Sequence, residues 1–276
     1  MPQEGRPLTI LCGGPEPIAA VIDAPRASGT DGVALWFAKL DTLRERIPHY
    51  LELLGTEELE RAARFRFDVD RERFIIAHGL LRTLLGERLG ARPGELRIAR
   101  GPYGKPYIEG TDLRFNLSDT KDALLIAITQ GGEIGADIET MARTVDHMAV
   151  GAHYFTPEEM RSIRQAANHG TNSDQSTCTV DPLGRHTGAA QDPAKRRFLE
   201  FWTRKEAVLK ASGVGIMDDL RVLRVDGEVN EMTITHEAFV QHAAATYHVH
   251  TWMYGEDHIL SVAQQGPIKH VILLHA

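Results

Sequence analysis

The sequence predicts an α+β protein built from two similar halves. Three observations carry this. Apolar residues recur at helical spacing over residues 56–90 and then at strand spacing from residue 96 to 139. A second long helical stretch, Phe198–Ile216, is again followed by runs that read as strands. Each half therefore supplies one long helix and one group of strands, which suggests an α+β pair of similar subdomains, although no sequence repeat marks it.

The elements follow in order. Residues 1–32 are rich in Gly, Pro, Ala and Asp without a sustained period, and are expected to form an irregular lead-in. VALWFAKLD (Val33–Asp41) is the first expected strand. Leu43–Leu54 has a helical pattern with an expected break at Pro48. Thr56–Phe67 is a helix with Thr56 as N-cap and acids in its first turn. Asp70–Gly90 is the strongest helix, with Phe74, Ala77, Leu81, Leu84 and Leu85 on its apolar stripe. LRIAR (Leu96–Arg100) is a short strand and GPYGKPYI (Gly101–Ile108) a Gly/Pro-punctuated loop. LRFNLSDT leads into the buried strand ALLIAITQ, and a turn at Gln130–Glu133 leads into IGADIE. TPEEMRSIRQAA opens a helix with Thr156 at the N-cap and Pro157 at N1. Residues 168–195 are polar and aperiodic, an expected mobile insertion or lid. LRVLRVDG, EMTIT, YHVHTWMYG and HILSVAQQ read as the closing strands. The expected units are a lead-in (1–32), an N-terminal subdomain (33–133) and a C-terminal subdomain (134–276) carrying the insertion.

Composition bounds the function. The chain has 276 residues, 42% hydrophobic and 25% charged, with a formal net charge of −7. That is globular composition, and the acidic balance argues against a general nucleic-acid binder. No run of eighteen apolar residues is present, so no membrane span is expected, and the first residues lack the apolar length of a signal peptide. Two cysteines exclude a disulfide scaffold and a Cys-based zinc site. A cytoplasmic protein is expected. The thirteen histidines are scattered, and His248 and His250 on one strand face lack a third ligand at recognisable spacing.

The chemistry gathers in two stretches. Asp137 and Glu139 stand at i and i+2 of IGADIE, so on a strand both carboxylates share a face while Ile138 points into the core. Trp202, Glu206 and Lys210 stand at i, i+4 and i+8 on one face of a helix. The plain reading is a solvated strand end and a Glu–Lys pair beneath a core tryptophan. The sharper reading sets Asp137, Glu139 and Glu206 around Mg²⁺, with Mn²⁺ as substitute, because hard oxygen donors without His or Cys suit those ions. Lys210 would then face the phosphate of a substrate. Arg61, Arg64, Arg66, Arg71 and Arg73 form a basic run interleaved with Phe65 and Phe67. In an acidic protein a phosphate-rich cofactor accounts for such a local cluster, and Arg61 and Arg73 are the expected contacts.

GPYGKPYI, FNLSDT, IGADIE, YFTPEE and FWTRKEAVLKASGVGI, in this order, resemble the motif series of the Sfp-type 4′-phosphopantetheinyl transferases, as does ERAARFRFDVDRERFIIAHGLLR upstream. The resemblance covers roughly residues 33–265. It implies two similar α+β halves with the active site in the cleft between them. It implies a reaction in which coenzyme A binds with Mg²⁺ and a serine hydroxyl of an apo acyl or peptidyl carrier protein attacks the phosphorus next to pantetheine, releasing adenosine 3′,5′-bisphosphate. It matches Asp137, Glu139 and Glu206 to the metal-binding acids and Lys210 to the lysine near the pyrophosphate, so that Asp137, Glu206 and Lys210 form the catalytic set. It matches Lys105 to a coenzyme-binding position and Arg61 to a contact of the 3′-phosphate. Arg73, Arg100, Pro106, Ser118 and Asp119 complete the expected coenzyme site with Asp137 and Lys210. Metal-bound water, Glu206 and Lys210 are all candidates to take the serine proton. A monomer is expected, with no nucleic-acid or membrane partner. The rivals are a metal-dependent phosphohydrolase and a non-catalytic carrier-binding module. FNLSDT departs from the family, which most often has His where this chain has Asp119. An ionised Asp repels phosphate. Asp119 is therefore expected to pair with Arg61, Arg73 or Arg100 and fix a guanidinium for the phosphate, or else to turn away.

Overall fold

The computed structural model describes residues 5–13, 19–20, 32–170, 179–180, 186–187, 192–215, 217, 219–268 and 271–275. Its strands are β1 (Arg6–Cys12), β2 (Ala19–Ala20), β3 (Val33–Lys39), β4 (Ile98–Arg100), β5 (Pro106–Ile108), β6 (Arg114–Asp119), β7 (Ala123–Thr129), β8 (Ile134–Thr140), β9 (Thr179–Val180), β10 (His186–Thr187), β11 (Val229–Ile234), β12 (Thr246–Tyr254), β13 (His258–Gln264) and β14 (Val271–His275). Its helices are α1 (Leu40–Leu43), α2 (Ile47–Leu53), α3 (Thr56–Ala63), α4 (Asp68–Leu89), α5 (His147–Tyr154), α6 (Pro157–Gly170), α7 (Pro193–Ser212) and α8 (Glu237–His242).

Two five-stranded sheets stand face to face, ordered β2-β14-β3-β7-β6 and β11-β1-β12-β13-β8. Alternation along the strands makes the layers. Val33, Leu35 and Phe37 of β3 and Leu125 of β7 meet Ile138 of β8 and Val262 of β13 in the core between the sheets. The intervening residues Ala34, Trp36, Leu124 and Ile126 face outward onto α4. On the other sheet, Ile10, Val249 and Ile259 face outward onto α6 and α7. The molecule is thus helix, sheet, sheet, helix. This agrees with the α+β class and the paired halves, each a sheet backed by one long helix.

Several local expectations are corrected. The lead-in is not irregular at Arg6–Cys12. This β1 pairs antiparallel with β11 and parallel with β12, in the middle of the second half's sheet. Pro48 does not break a helix; it sits in the first turn of α2, where a missing N–H costs nothing. Gly55, not Thr56, is the N-cap of α3, and its N–H is taken by Glu58 Oε2 at 2.9 Å. The expected strand at LRVLRVDG is instead a 3₁₀ turn at Leu220–Val222 with extended flanks. Within GPYGKPYI, Pro106–Ile108 is strand and pairs with β4, the turn closing at Gly104 with φ +84°. The expected insertion over 168–195 lies mostly outside the described residues. Within it α6 runs on to Gly170, β9 pairs with β10, and α7 already begins at Pro193. Among the described residues no helix is long and apolar enough to cross a membrane.

Candidate active site

The site lies where the edges of the two sheets meet. β6 ends one sheet and β8 the other. As an edge strand, β8 has backbone donors that β13 does not use. Side chains of β6 take them. Ala136 N–H donates to Asn116 Oδ1 (2.8 Å) and Ile138 N–H to Ser118 Oγ (3.3 Å). These two side chains staple the sheets at the seam.

The opposite face of β8 receives α7. A Cβ at Gly135 would stand 2.0 Å from the Ala207 carbonyl oxygen and 2.4 Å from the Ala211 nitrogen, so only glycine allows the helix to rest on the strand there. Two residues on, the gap opens enough for Asp137, which is 6% exposed. The helix then delivers Glu206 and Lys210 to the same place.

Lys210 Nζ donates to Asp137 Oδ1 (2.6 Å), Ser118 Oγ (3.0 Å) and the Ala136 carbonyl (3.2 Å). Ser118 Oγ also donates to Asp137 Oδ1 at 2.7 Å. The i,i+4 spacing suggested Glu206 as the lysine's partner; the contact it makes is across to β8. Glu139 is paired with Arg143, whose Nη1 donates to Glu139 Oε1. The guanidinium of Arg143 also lies 5.5 Å from the centre of the Trp202 ring.

The acids feel one another. Burial, then the charge of Asp137, pushes the Glu139 carboxyl up to about 7 against the pull of Arg143 and Lys210. Glu206 is pushed up by the same causes, burial first. Burial also raises Asp119, opposed by Arg73, Lys210 and His78. All-oxygen, mutually repelling donors of this kind fit a hard divalent cation. Yet among the described residues no group of three His, Cys, Asp or Glu converges on a single point. Asp137 faces Lys210 and Glu139 faces Arg143.

A basic ridge on α3 and α4 borders the acids. Arg73 Nε bonds Asp119 Oδ2 at 2.8 Å and its Nη2 bonds Asp70 Oδ1 at 2.9 Å. Of the two arrangements expected for Asp119, the structure shows the pairing, with Arg73. Arg61 is exposed and lies 5.1 Å over the Phe74 ring, which in turn stacks on His78 with centroids 4.0 Å apart. Arg64, Arg66 and Arg71 engage Glu60, the Phe67 ring and Asp68 respectively.

Three further expected coenzyme residues lie on or beside the β4–β5 hairpin. Lys105 Nζ donates to the carbonyls of Ile134 and Ala211 (3.0 Å each) and lies 2.6 Å from Glu133 Oε2. Its three donors are thereby occupied tying the β4–β5 hairpin to β8 and to the end of α7. Burial lowers its pKa, with Glu133 opposing. Arg100 is exposed and bonds the Gly104 carbonyl at 2.9 Å, and Pro106 is its partner across the hairpin.

Sequence reasoning missed Arg143, although it stands at i+4 from Glu139. It also missed Lys205 and Glu159, which form a fully buried ion pair at 2.7 Å behind the site. Glu159 closes a capping box with Thr156 at the start of α6, and Lys205 also donates to the Leu220 carbonyl at 2.9 Å. The adjacent charges of Lys205 and Glu206 in FWTRKEA gave no sign that one points into the core and the other into the site.

Two family models match in succession. Residues 41–130 match the N-terminal part of the 4′-phosphopantetheinyl transferases, and residues 133–263 match the 4′-phosphopantetheinyl transferase superfamily. Among curated relatives, the 4′-phosphopantetheinyl transferase HetI of Nostoc sp. is 30% identical over 191 residues, 68% of this chain and 71% of that protein. The putative 4′-phosphopantetheinyl transferase slr0495 of Synechocystis sp. is 29% identical over 67% of each chain. A phosphopantetheinyl transferase of Thraustochytrium sp. is 32% identical over 67% of this chain and 59% of its own. With its acids and its lysine brought together at the seam of two sheets, and with both halves matched in order, the chain belongs to the 4′-phosphopantetheinyl transferase superfamily.

Proposed function

We propose that this protein transfers the 4′-phosphopantetheine group of coenzyme A to a serine of an apo acyl or peptidyl carrier protein. The observation that carries the reading is the Lys210–Asp137–Ser118 contact at the junction of the two matched segments, beside the Arg73–Asp119 pair. The division of labour follows the chain: residues 33–133 bring the arginines that suit the coenzyme's phosphates, and 134–276 bring the acids and Lys210. Arg73 is held by two carboxylates and keeps further N–H groups for a phosphate, and Arg61 adds a second guanidinium. Asp137 holds Lys210 in place, and the ammonium gives up its longest contact, the Ala136 carbonyl at 3.2 Å, to meet charge that grows on the pyrophosphate as the bond to phosphorus breaks. The serine oxygen forms the new P–O bond, the bond to adenosine 3′,5′-bisphosphate breaks, and the serine proton goes to a base. Glu206, raised by burial and by the charge of Asp137, is one candidate for that base beside Lys210. Asp137, Glu139 and Glu206 are the residues that would hold Mg²⁺. When bound, the ion neutralises phosphate charge and aligns the leaving group.

The test is incubation with coenzyme A and a panel of apo-carrier proteins, read by intact mass. A carrier gaining one phosphopantetheine, with adenosine 3′,5′-bisphosphate released only when carrier is present, is expected. Release of a phosphate product without carrier would point to a phosphohydrolase. Retention of carrier without product would point to a binding module.

A further inference from the structure

Two of the protein's own cations stand among the acids, on different sides. Lys210 meets Asp137 from α7, and Arg143 meets Glu139 from the turn that leaves β8. The backbone of that turn is fixed. Arg143 N–H donates to the Thr140 carbonyl at 3.0 Å, and Lys195 Nζ holds the Met141 carbonyl at 2.5 Å. The side chain is not so confined. It is 36% exposed, and while it meets Glu139 its guanidinium also lies over the Trp202 ring, one turn before Glu206 on α7. Its charge reaches Glu206 as well as Glu139. Arg143 thus holds Glu139 from outside while Lys210 holds Asp137, and these two acids face separate cations instead of one shared centre.

We propose that Arg143 is the resident counter-cation of Glu139, and that a divalent cation entering among the acids displaces its guanidinium from that carboxylate. The proposal rests on the reading that these acids take such a cation. A guanidinium stays charged at every working pH, so it cannot yield by losing a proton and must move. A compact ion of twice the charge offers the carboxylates more than one fork-shaped donor does. In the absence of metal, Arg143 offsets the repulsion that would otherwise part β8 from α7. In its presence, the broken Arg143–Glu139 pair subtracts from the apparent metal affinity, so Arg143 sets the metal concentration at which the site fills.

The experiment measures binding of Mn²⁺ alone, without coenzyme or carrier, by the loss of free-ion paramagnetic signal. Wild type is compared with Arg143→Gln and Asp137→Ala, each first checked by thermal melting. Arg143→Gln should bind Mn²⁺ roughly two- to fivefold more tightly, the range set by a partly exposed ion pair. Mg²⁺ added to wild type should change an emission signal that Trp202→Phe removes and Arg143→Gln greatly reduces. Equal or weaker binding by Arg143→Gln, in a wild type whose binding Asp137→Ala abolishes, would overturn the role of Arg143 while leaving the acids as metal ligands. Tighter binding with no Trp202 signal in wild type would also overturn it, since a long-range charge effect would then suffice. Absence of binding in wild type and Arg143→Gln alike would remove the metal reading, and this proposal with it.

Discussion

Lys210 reaches past the neighbour that helix spacing offers it and bonds Asp137, Ser118 and a carbonyl of β8. Its role at the moment of reaction gives a prediction. Lys210→Ala should lower turnover by about a hundredfold or more while weakening coenzyme A binding much less, as measured by steady-state kinetics beside direct titration. A pure loss of coenzyme affinity with unchanged turnover would make the lysine a ground-state clamp. Asp119→Ala should weaken coenzyme A binding several-fold by loosening Arg73, and the loss should shrink as salt rises. A titration showing tighter binding by the variant would mean that repulsion between Asp119 and phosphate prevails. At this scale the sequence was legible where one element decides the geometry. Alternation along β8 put Asp137 and Glu139 on one face and Ile138 in the core. It was not legible where a long side chain crosses to another element. Lys105, on the β4–β5 hairpin, crosses to Glu133 and to two carbonyls of β8 and α7. Nothing in G-K-P says which carbonyls stand nearby.

Among the elements, two carboxylates lock helices together, and each can be tested. Glu58 on α3 binds the Gly55 N–H, His78 and Arg82, and so holds α3 against α4. Burial alone would raise its pKa, but the hydrogen bonds from His78 and Gly55 and the charge and bond of Arg82 more than offset this and bring it to about 2. Because the folded value lies below the ordinary 4.5, the stabilisation is full above that pH and is lost as pH falls toward about 2. Glu58→Gln should therefore cost on the order of 2–3 kcal/mol at pH 7. The gap between the two proteins should close in acid, as followed by denaturant melts from pH 7 to pH 2. A gap independent of pH would assign the effect to packing. Glu159 and Lys205 join α6, α7 and the 3₁₀ turn in a place with no solvent exposure. Removing one charge leaves the other buried and unpaired, so Lys205→Met should cost roughly 3–5 kcal/mol, and Glu159→Gln a comparable amount. The double variant Glu159→Leu/Lys205→Met should recover much of that loss in the same melts. The long helices α4, α6 and α7 were legible from period and caps, as Thr156 and Pro157 show for α6. The burial of a Glu–Lys pair was not, since charged residues are ordinarily read as surface.

For the whole molecule, the two sheets exchange their outermost contributions along the chain. β1 lies inside the sheet of the second half, and β14 lies between β2 and β3 in the sheet of the first. Neither half is thus a closed stretch of sequence, although the α+β class and the paired architecture were read correctly from the succession of periods. The short apolar patch PLTILC showed no period long enough to mark a central strand, and its partners stand more than two hundred residues away. Heat or denaturant should unfold the molecule in one transition, with helix signal and tryptophan emission coincident, because each half needs a strand supplied from outside its own block. Two separated transitions would show that the halves are stable alone. The exchange also bears on how the chain comes into being. During synthesis β1 emerges first and finds none of its partners until β11 and β12 follow, and β3 lacks one neighbour until Val271–His275 is made. A nascent chain halted after residue 264 should remain open to protease at β3, and release of the full chain should close it within one folding step. The first half's sheet is therefore complete only once β14 has left the ribosome.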